Sequence, residues 1–287
     1  MLVYFFEFWW MFPVAFCVCL MATSSSVEGA VFFAPIFIIF FPMFAGVTIT
    51  PIEGIFLALS IEIFGFGSAL TGYFRRSLVD IYIAKKVLVF SIPTSIIFGF
   101  LAHMVPSGTI MIFLGSLMVT LCVVIFITCF KSFPERKEIK KVGIELKRVD
   151  KLGREYRYNY FHGFFGASWS ILGGLLVGLT GIGIGELAST SLIVRNKIPT
   201  RVAIGTGILI VFATVLPATL VHAYVFSTGQ ISVHWNILFM TVPAVLIGGQ
   251  VSPIINSRVD GEKIKFFLSF VFLFVGFILI LRGITLN

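Results

Sequence analysis

Ten apolar segments follow one another along this 287-residue chain, at roughly 2–22, 29–44, 53–74, 87–104, 108–130, 162–182, 186–194, 202–226, 235–256 and 266–282. Most approach the ~20 residues that an α-helix needs to cross the ~30 Å hydrocarbon core of a bilayer. In hydrocarbon every backbone N–H and C=O must be satisfied within the protein, so such a chain folds as packed helices. The composition agrees: 58% of the residues are hydrophobic and 12% are charged, with a mean hydropathy of +1.06. A soluble enzyme on a single anchor, a secreted disulfide scaffold and a disordered chain are all excluded. The expected fold class is an all-α polytopic membrane protein.

Where the charge sits says more than the formal net charge of +8. Twenty of the 21 Lys and Arg residues fall into four groups: Arg75 to Lys86, Lys131 to Arg157, Arg195 to Arg201, and Arg258 to Lys265; only Arg282 stands apart. Basic residues mark cytoplasmic loops, which puts the four groups on one face and the joints near Val47, Ser107 and Thr228 on the other. Both chain ends then lie outside, in a cell (plasma or inner) membrane. The charge serves topology, and no nucleic-acid partner is expected. The N-terminal MLVYFFEFWWMF has no basic n-region and no small-residue cleavage site, so a cleaved signal peptide is not expected.

This assignment forces a parity. Segments 53–74, 87–104 and 108–130 cross alternately, and the linker that follows is cytoplasmic, as is the loop at Arg195. The stretch 162–194 must therefore leave and return on one side. Each half reads as a broken, re-entrant hairpin followed by three crossings, with the second half inverted. The expected divisions are a first repeat at 1–130, a basic cytoplasmic linker at 131–161, solvated and in part helical, and a second, inverted repeat at 162–287. Opposite-facing repeats are a common secondary-transporter architecture.

The chemistry is expected at the hairpin tips. From Glu186 to Arg195 is about 14 Å of helix at 1.5 Å per residue, so that tip ends near the midplane. TGIGIG at 180–185 suits a break at that depth, and TSSS at 23–26 supplies hydroxyls in the first half. Helices restarting there point free N–H groups and partial positive charge at a common centre, which favours an anion. Glycines and serines also permit plain close helix packing. The candidate substrate-binding residues are Ser24, Ser25, Ser26, Gly29, Thr180, Gly181, Gly183, Gly185 and Thr206. Three intramembrane carboxylates, Glu28, Glu62 and Glu186, are candidates for coupling to protons or another ion. Glu28 and Glu186 have an alternative role as caps of the restarting helices; mid-segment Glu62 has no such role in sequence and is otherwise a buried hydrogen-bonded acid. His103 and His222 read as interfacial. Cys17, Cys19, Cys122 and Cys129 lie in apolar stretches and read as packing thiols. No spacing marks a metal site, a cofactor or a catalytic set.

These motifs resemble the TauE/SafE sulfite-exporter family of anion transporters. GIGIGELAST at 181–190 is similar to the family's second-repeat glycine turn, with Ile184 in place of a glycine and Thr190 in place of a proline. AIGTGILIVFATVLPA at 203–218 resembles the stretch after it, and YFRRSLVDIYIAKKVLVFSIPTSIIFG at 73–99 the basic loop and following helix. In the first half SSSVEGA stands for the glycine turn. The resemblance implies movement of sulfite, sulfoacetate or a related sulfur oxyanion or organosulfonate, driven by an ion gradient. The expected partners are therefore a small anion, a coupling ion and the bilayer, with the oligomeric state left open. A passive channel for small oxyanions is the alternative.

The parity can be tested with cysteines. In a background lacking the native cysteines, Lys151→Cys and Lys197→Cys should both be labelled only from the cytoplasmic side by an impermeant maleimide. Labelling from opposite faces would remove the hairpin at 162–194 and the inversion with it.

Overall fold

A computed structural model describes residues 6–130, 144–161, 163–229, 233–255 and 261–286. Residues 131–143 of the linker and Arg258 lie outside the described residues, as do the first five positions and the side chains of Lys263 and Lys265. The first half begins with α1 (Met11–Ser25) and α2 (Ala30–Phe44), and continues with α3 (Pro51–Arg75), α4 (Ile81–Ala102) and α5 (Ser107–Phe130). After a β-hairpin come α6 (Gly163–Thr180), α7 (Ile184–Thr190, extended by a π turn over Ser191–Arg195), α8 (Thr200–Thr228), α9 (Trp235–Ile255) and α10 (Gly261–Leu286). Among the described residues seven helices, α3 to α6 and α8 to α10, are long and apolar enough to cross a membrane, while α1 and α2 are shorter. The chain is an all-α polytopic membrane protein.

Local chemistry sets the ends of these helices. Thr50 caps α3, its hydroxyl accepting from Glu53 N–H at 3.3 Å with Pro51 at the first helical position. Asp80 caps α4 by accepting from Tyr82 and Ile83 N–H at 2.9 and 3.2 Å. Helices α3 and α8 form the centre, with 78% and 67% of their spanning windows buried. The broadest helix–helix contact joins α5 to α10 at the flank. A β-carbon on Gly115 would sit 2.5 Å from Gly276 O, and one on Gly283 would sit 2.8 Å from Gly108 O. Backbone lies directly on backbone there, as small residues allow between membrane helices.

Both broken pairs share an irregularity. α2 passes through a π turn at Ile36–Phe40 and α7 through one at Ser191–Arg195. A π turn shifts the hydrogen-bond ladder and redirects carbonyls. In each case a polar side chain meets one: Arg282 Nη1 donates to Ile38 O at 2.7 Å, and Asn196 Nδ2 to Ser191 O at 3.3 Å. Arg282, the single basic residue outside the four groups, thus has a structural partner.

The expected helical part of the linker is not found in its described residues. Its described part is an antiparallel hairpin, β1 (Ile144–Val149) and β2 (Glu155–Tyr160), in register from Ile144 opposite Tyr160 to Val149 opposite Glu155. The cause is the period-two placement of Tyr156, Tyr158 and Tyr160, with Gly153 at a φ of 76° in the turn. Tyr158 OH donates to Asp80 Oδ2 at 2.7 Å, and Arg148 Nε lies 3.5 Å from the same oxygen. Burial, then the hydrogen bond to Asp80 and that residue's negative charge, push the Tyr158 hydroxyl above its ordinary pKa, so it remains a donor. Asp80 N–H donates in turn to Thr206 Oγ1 at 2.9 Å, tying the hairpin, α4 and α8 together.

Tyr158→Phe should cost about 1.5–3 kcal/mol, as expected for a hydrogen bond to a charged acceptor. The check is thermal unfolding in detergent together with earlier proteolytic cutting in 144–160.

Candidate functional site

The two helix breaks meet in the centre of the protein. α1 ends at Ser25, with Ser26 in the left-handed region at a φ of 58°, and the chain turns through Val27, Glu28 and Gly29 into α2. α6 ends at Thr180, and Gly181 and Gly183, at φ of 76° and 129°, turn the chain into α7. Those angles suit glycine and few other residues. The tips also touch: a β-carbon on Gly185 would fall 2.5 Å from Ser26 O and 3.0 Å from Glu28 Oε2.

Each restarting helix leaves N–H groups unpaired, and the three carboxylates fill them crosswise. Glu28 Oε1, from the first tip, accepts from Gly183 N–H at 3.1 Å and Gly185 N–H at 2.5 Å in the second. Glu186 Oε1, from the second tip, accepts from Glu28 N–H at 3.3 Å. Glu62, from the middle of α3, accepts from Gly29 N–H at 3.1 Å. Glu62 therefore has a capping role that its place in the sequence did not suggest, because the helix it caps is a different one. All three side chains are buried, at 0%, 2% and 4% exposure for Glu28, Glu62 and Glu186, and near enough to repel one another when charged. The Oε2 atom of each has no hydrogen-bond partner among the described residues. The arrangement can hold protons, and its N–H donors can equally hold an oxyanion.

The other candidates divide. Ser25 Oγ and Thr180 Oγ1 turn back to carbonyls of their own helices, at Met21 (2.7 Å) and Leu176 (2.8 Å). Ser24 is buried beside them, and Ser26 Oγ is buried with no hydrogen-bond partner among the described residues, pressed against Gly207 of α8. Gly181 packs on Leu59 and Ala30. Thr206 is apart from the tips: it holds Asp80 at the linker end of α8. Its neighbour Gly207 is the residue that meets the first tip.

Further polar pairs join the halves. His222 is fully buried within the protein, and its Nδ1 pairs with His103 Nε2 at 2.9 Å. Glu53 Oε1 meets His234 Nδ1 at 2.7 Å where α3 and α9 begin. Ser91 and Thr214 hydroxyls pair at 2.9 Å between α4 and α8. Asp80 and Glu53 had a legible signal, an acid in the first turn or at the cap of an apolar helix. The pairing of two distant histidines had none.

Among the described residues, seven helices long and apolar enough to cross a membrane accompany two broken pairs whose tips share a buried acidic centre, the architecture of a polytopic membrane protein. The chain belongs to the sulfite exporter TauE/SafE family, whose model matches residues 9–279. It is 27% identical over 239 residues, covering 82% of this chain and 83% of the relative, to a protein of Bacillus subtilis (strain 168) described as the probable membrane transporter protein YunE. No solved structure matches the chain.

The tight tip contact predicts an asymmetry between two glycines. Gly185→Ala must push the tips apart against backbone and should cost about 1–3 kcal/mol, as overpacking does. Gly29→Ala, at a φ of −65° with only Phe33 nearby at 3.5 Å, should be neutral or stabilising by up to ~1 kcal/mol. Thermal melts of the two variants decide; equal cost at both would deny the crossing of the tips.

Proposed function

We propose that this protein is a secondary transporter for a small sulfur oxyanion or organosulfonate, of the class of sulfite or sulfoacetate, coupled to an ion gradient. Its halves act as inverted repeats that exchange conformations around the tips, exposing the centre to each face in turn. The observation that carries the reading is the occupation of tip N–H groups by three buried carboxylates.

An oxyanion seeks the same donors, which point from helix starts in a low-dielectric interior. While the carboxylates are ionised they hold those donors and repel a second anion. Proton uptake removes the charge and loosens the hold on the N–H groups. Anion and proton therefore favour one another's binding, and by linkage each raises affinity for the other to the same degree. Glu62 is the coupling acid, with Glu28 or Glu186 sharing the proton. The family's sulfite-exporter description supports the substrate class, and the Bacillus relative's name supports the transport role.

The test is uptake of labelled sulfite and sulfoacetate into proteoliposomes with and without a pH gradient. The wild type should accumulate at least one of them when the gradient is imposed. Glu62→Gln, which keeps shape and hydrogen bonding, should abolish pH-driven accumulation and preserve exchange of substrate for substrate. Flux that follows only the anion's own gradient and ignores this substitution would make the protein a channel. Transport of neither anion would discard the substrate class.

A further inference from the structure

The second broken pair encloses a cleft between its two arms, α6 and α7. About 330 Å³ of open volume, solvent included, is lined by Ser170 on α6, by Ile184, Ala188 and Ser191 along α7 and its π turn, and by Tyr160 and Asn196 at the linker end. Positions 184, 188 and 191 share one face of a helix, so the cleft follows the groove between the arms. From Ile184 to Ser191 is about 10 Å at 1.5 Å per residue. Polar side chains and irregular backbone at membrane depth are tolerated where they line a wet cavity, and π turns concentrate at functional sites.

The two ends are closed differently. At the tip end Ile184 is 1% exposed and lies directly on Gly173 of α6, where a β-carbon would have no room. Its chain neighbours Gly183 and Gly185 donate their N–H groups to Glu28. One residue thus has its backbone beside the acidic centre and its side chain in the cleft. At the linker end stand Tyr160, which is buried, and Phe161, whose N–H donates to Asn196 Oδ1 at 3.1 Å. Asn196 Nδ2 donates to Ser191 O at 3.3 Å, so a single amide ties the end of the hairpin to the π turn. Arg195 is also at this end, its guanidinium over the Phe165 ring at 5.1 Å and near enough to Tyr160 for its charge to act on that hydroxyl. Asp80, whose charge reaches Tyr160 as well, is engaged by Tyr158 and Arg148.

We propose that this cleft is the passage by which a small anion moves between the linker side of the protein and the tip donors. Ile184 is its inner barrier, and the Tyr160–Phe161 end of the hairpin is its outer one. The proposal rests on the reading of the tips as the anion site.

The experiment uses the full chain in nanodiscs, with the native cysteines replaced, and follows modification of Ala188→Cys by the impermeant anionic reagent 2-sulfonatoethyl methanethiosulfonate. Ala188 lies one turn from Ile184 and is 7% exposed, so the parent should react slowly. Tyr160→Ala and Asn196→Ala, which open the outer barrier, should each raise the rate at least tenfold. Thr214→Cys, buried between α4 and α8 outside the cleft, should gain nothing from either change. Ser191→Cys, nearer the opening, repeats the measurement if Ala188→Cys melts early. In proteoliposomes, modified Ala188→Cys should lose exchange of whichever of sulfite and sulfoacetate the wild type carries. Rates unchanged by both barrier variants would overturn the proposal, as would an equal gain at Thr214→Cys, or exchange undiminished by full modification. A wild type that carries neither anion would defeat the substrate reading alone, and the modification rates would still decide the passage.

Discussion

A helix broken inside a membrane leaves N–H groups with no water to receive them, and this protein satisfies them with carboxylates from elsewhere in the chain. Glu28 reaches across to Gly183 and Gly185, Glu186 reaches back to Glu28 N–H, and Glu62 comes in from α3 to Gly29. Each tip is completed by an acid that its own hairpin does not supply. Stability and chemistry thus share the same atoms. Removing a carboxylate unsatisfies a backbone, and protonating one weakens the bond that holds two elements together. Two of the polar seams on either side, Ser91 with Thr214 and His103 with His222, join side chains alone, while Glu53 takes both the ring nitrogen and the backbone N–H of His234.

Much of the architecture could be read from the letters. Apolar runs place the helices because hydrocarbon leaves a chain few alternatives, and the breaks at TSSS and TGIGIG announce themselves through residues that do not prolong a helix. What joins the breaks is not local. Glu62 looked like an acid in the middle of a long helix because nothing in its neighbourhood names the N–H group it serves, which lies 33 positions away. Thr206 sat in a motif next to the tips and yet faces Asp80, since one step along a helix turns a side chain by about 100° and Gly207 takes the facing position. The hairpin in the linker was legible in principle. Its alternating tyrosines were outweighed by a charge count that says only that the segment is wet.

The flank formed by α5 and α10 has a mechanical consequence. These are the last helices of the two halves, and at Gly115, Gly276 and Gly283 backbone of one lies against backbone of the other, with Ile280, Val119 and Ile112 packed beside them. To slide one along the other, the larger side chains beside those glycines would have to ride over bare peptide. To part them would give up the close van der Waals packing of backbone on backbone that the glycines allow. The end of the first half and the end of the second are thereby packed into one rigid seam, the broadest contact between any two helices described.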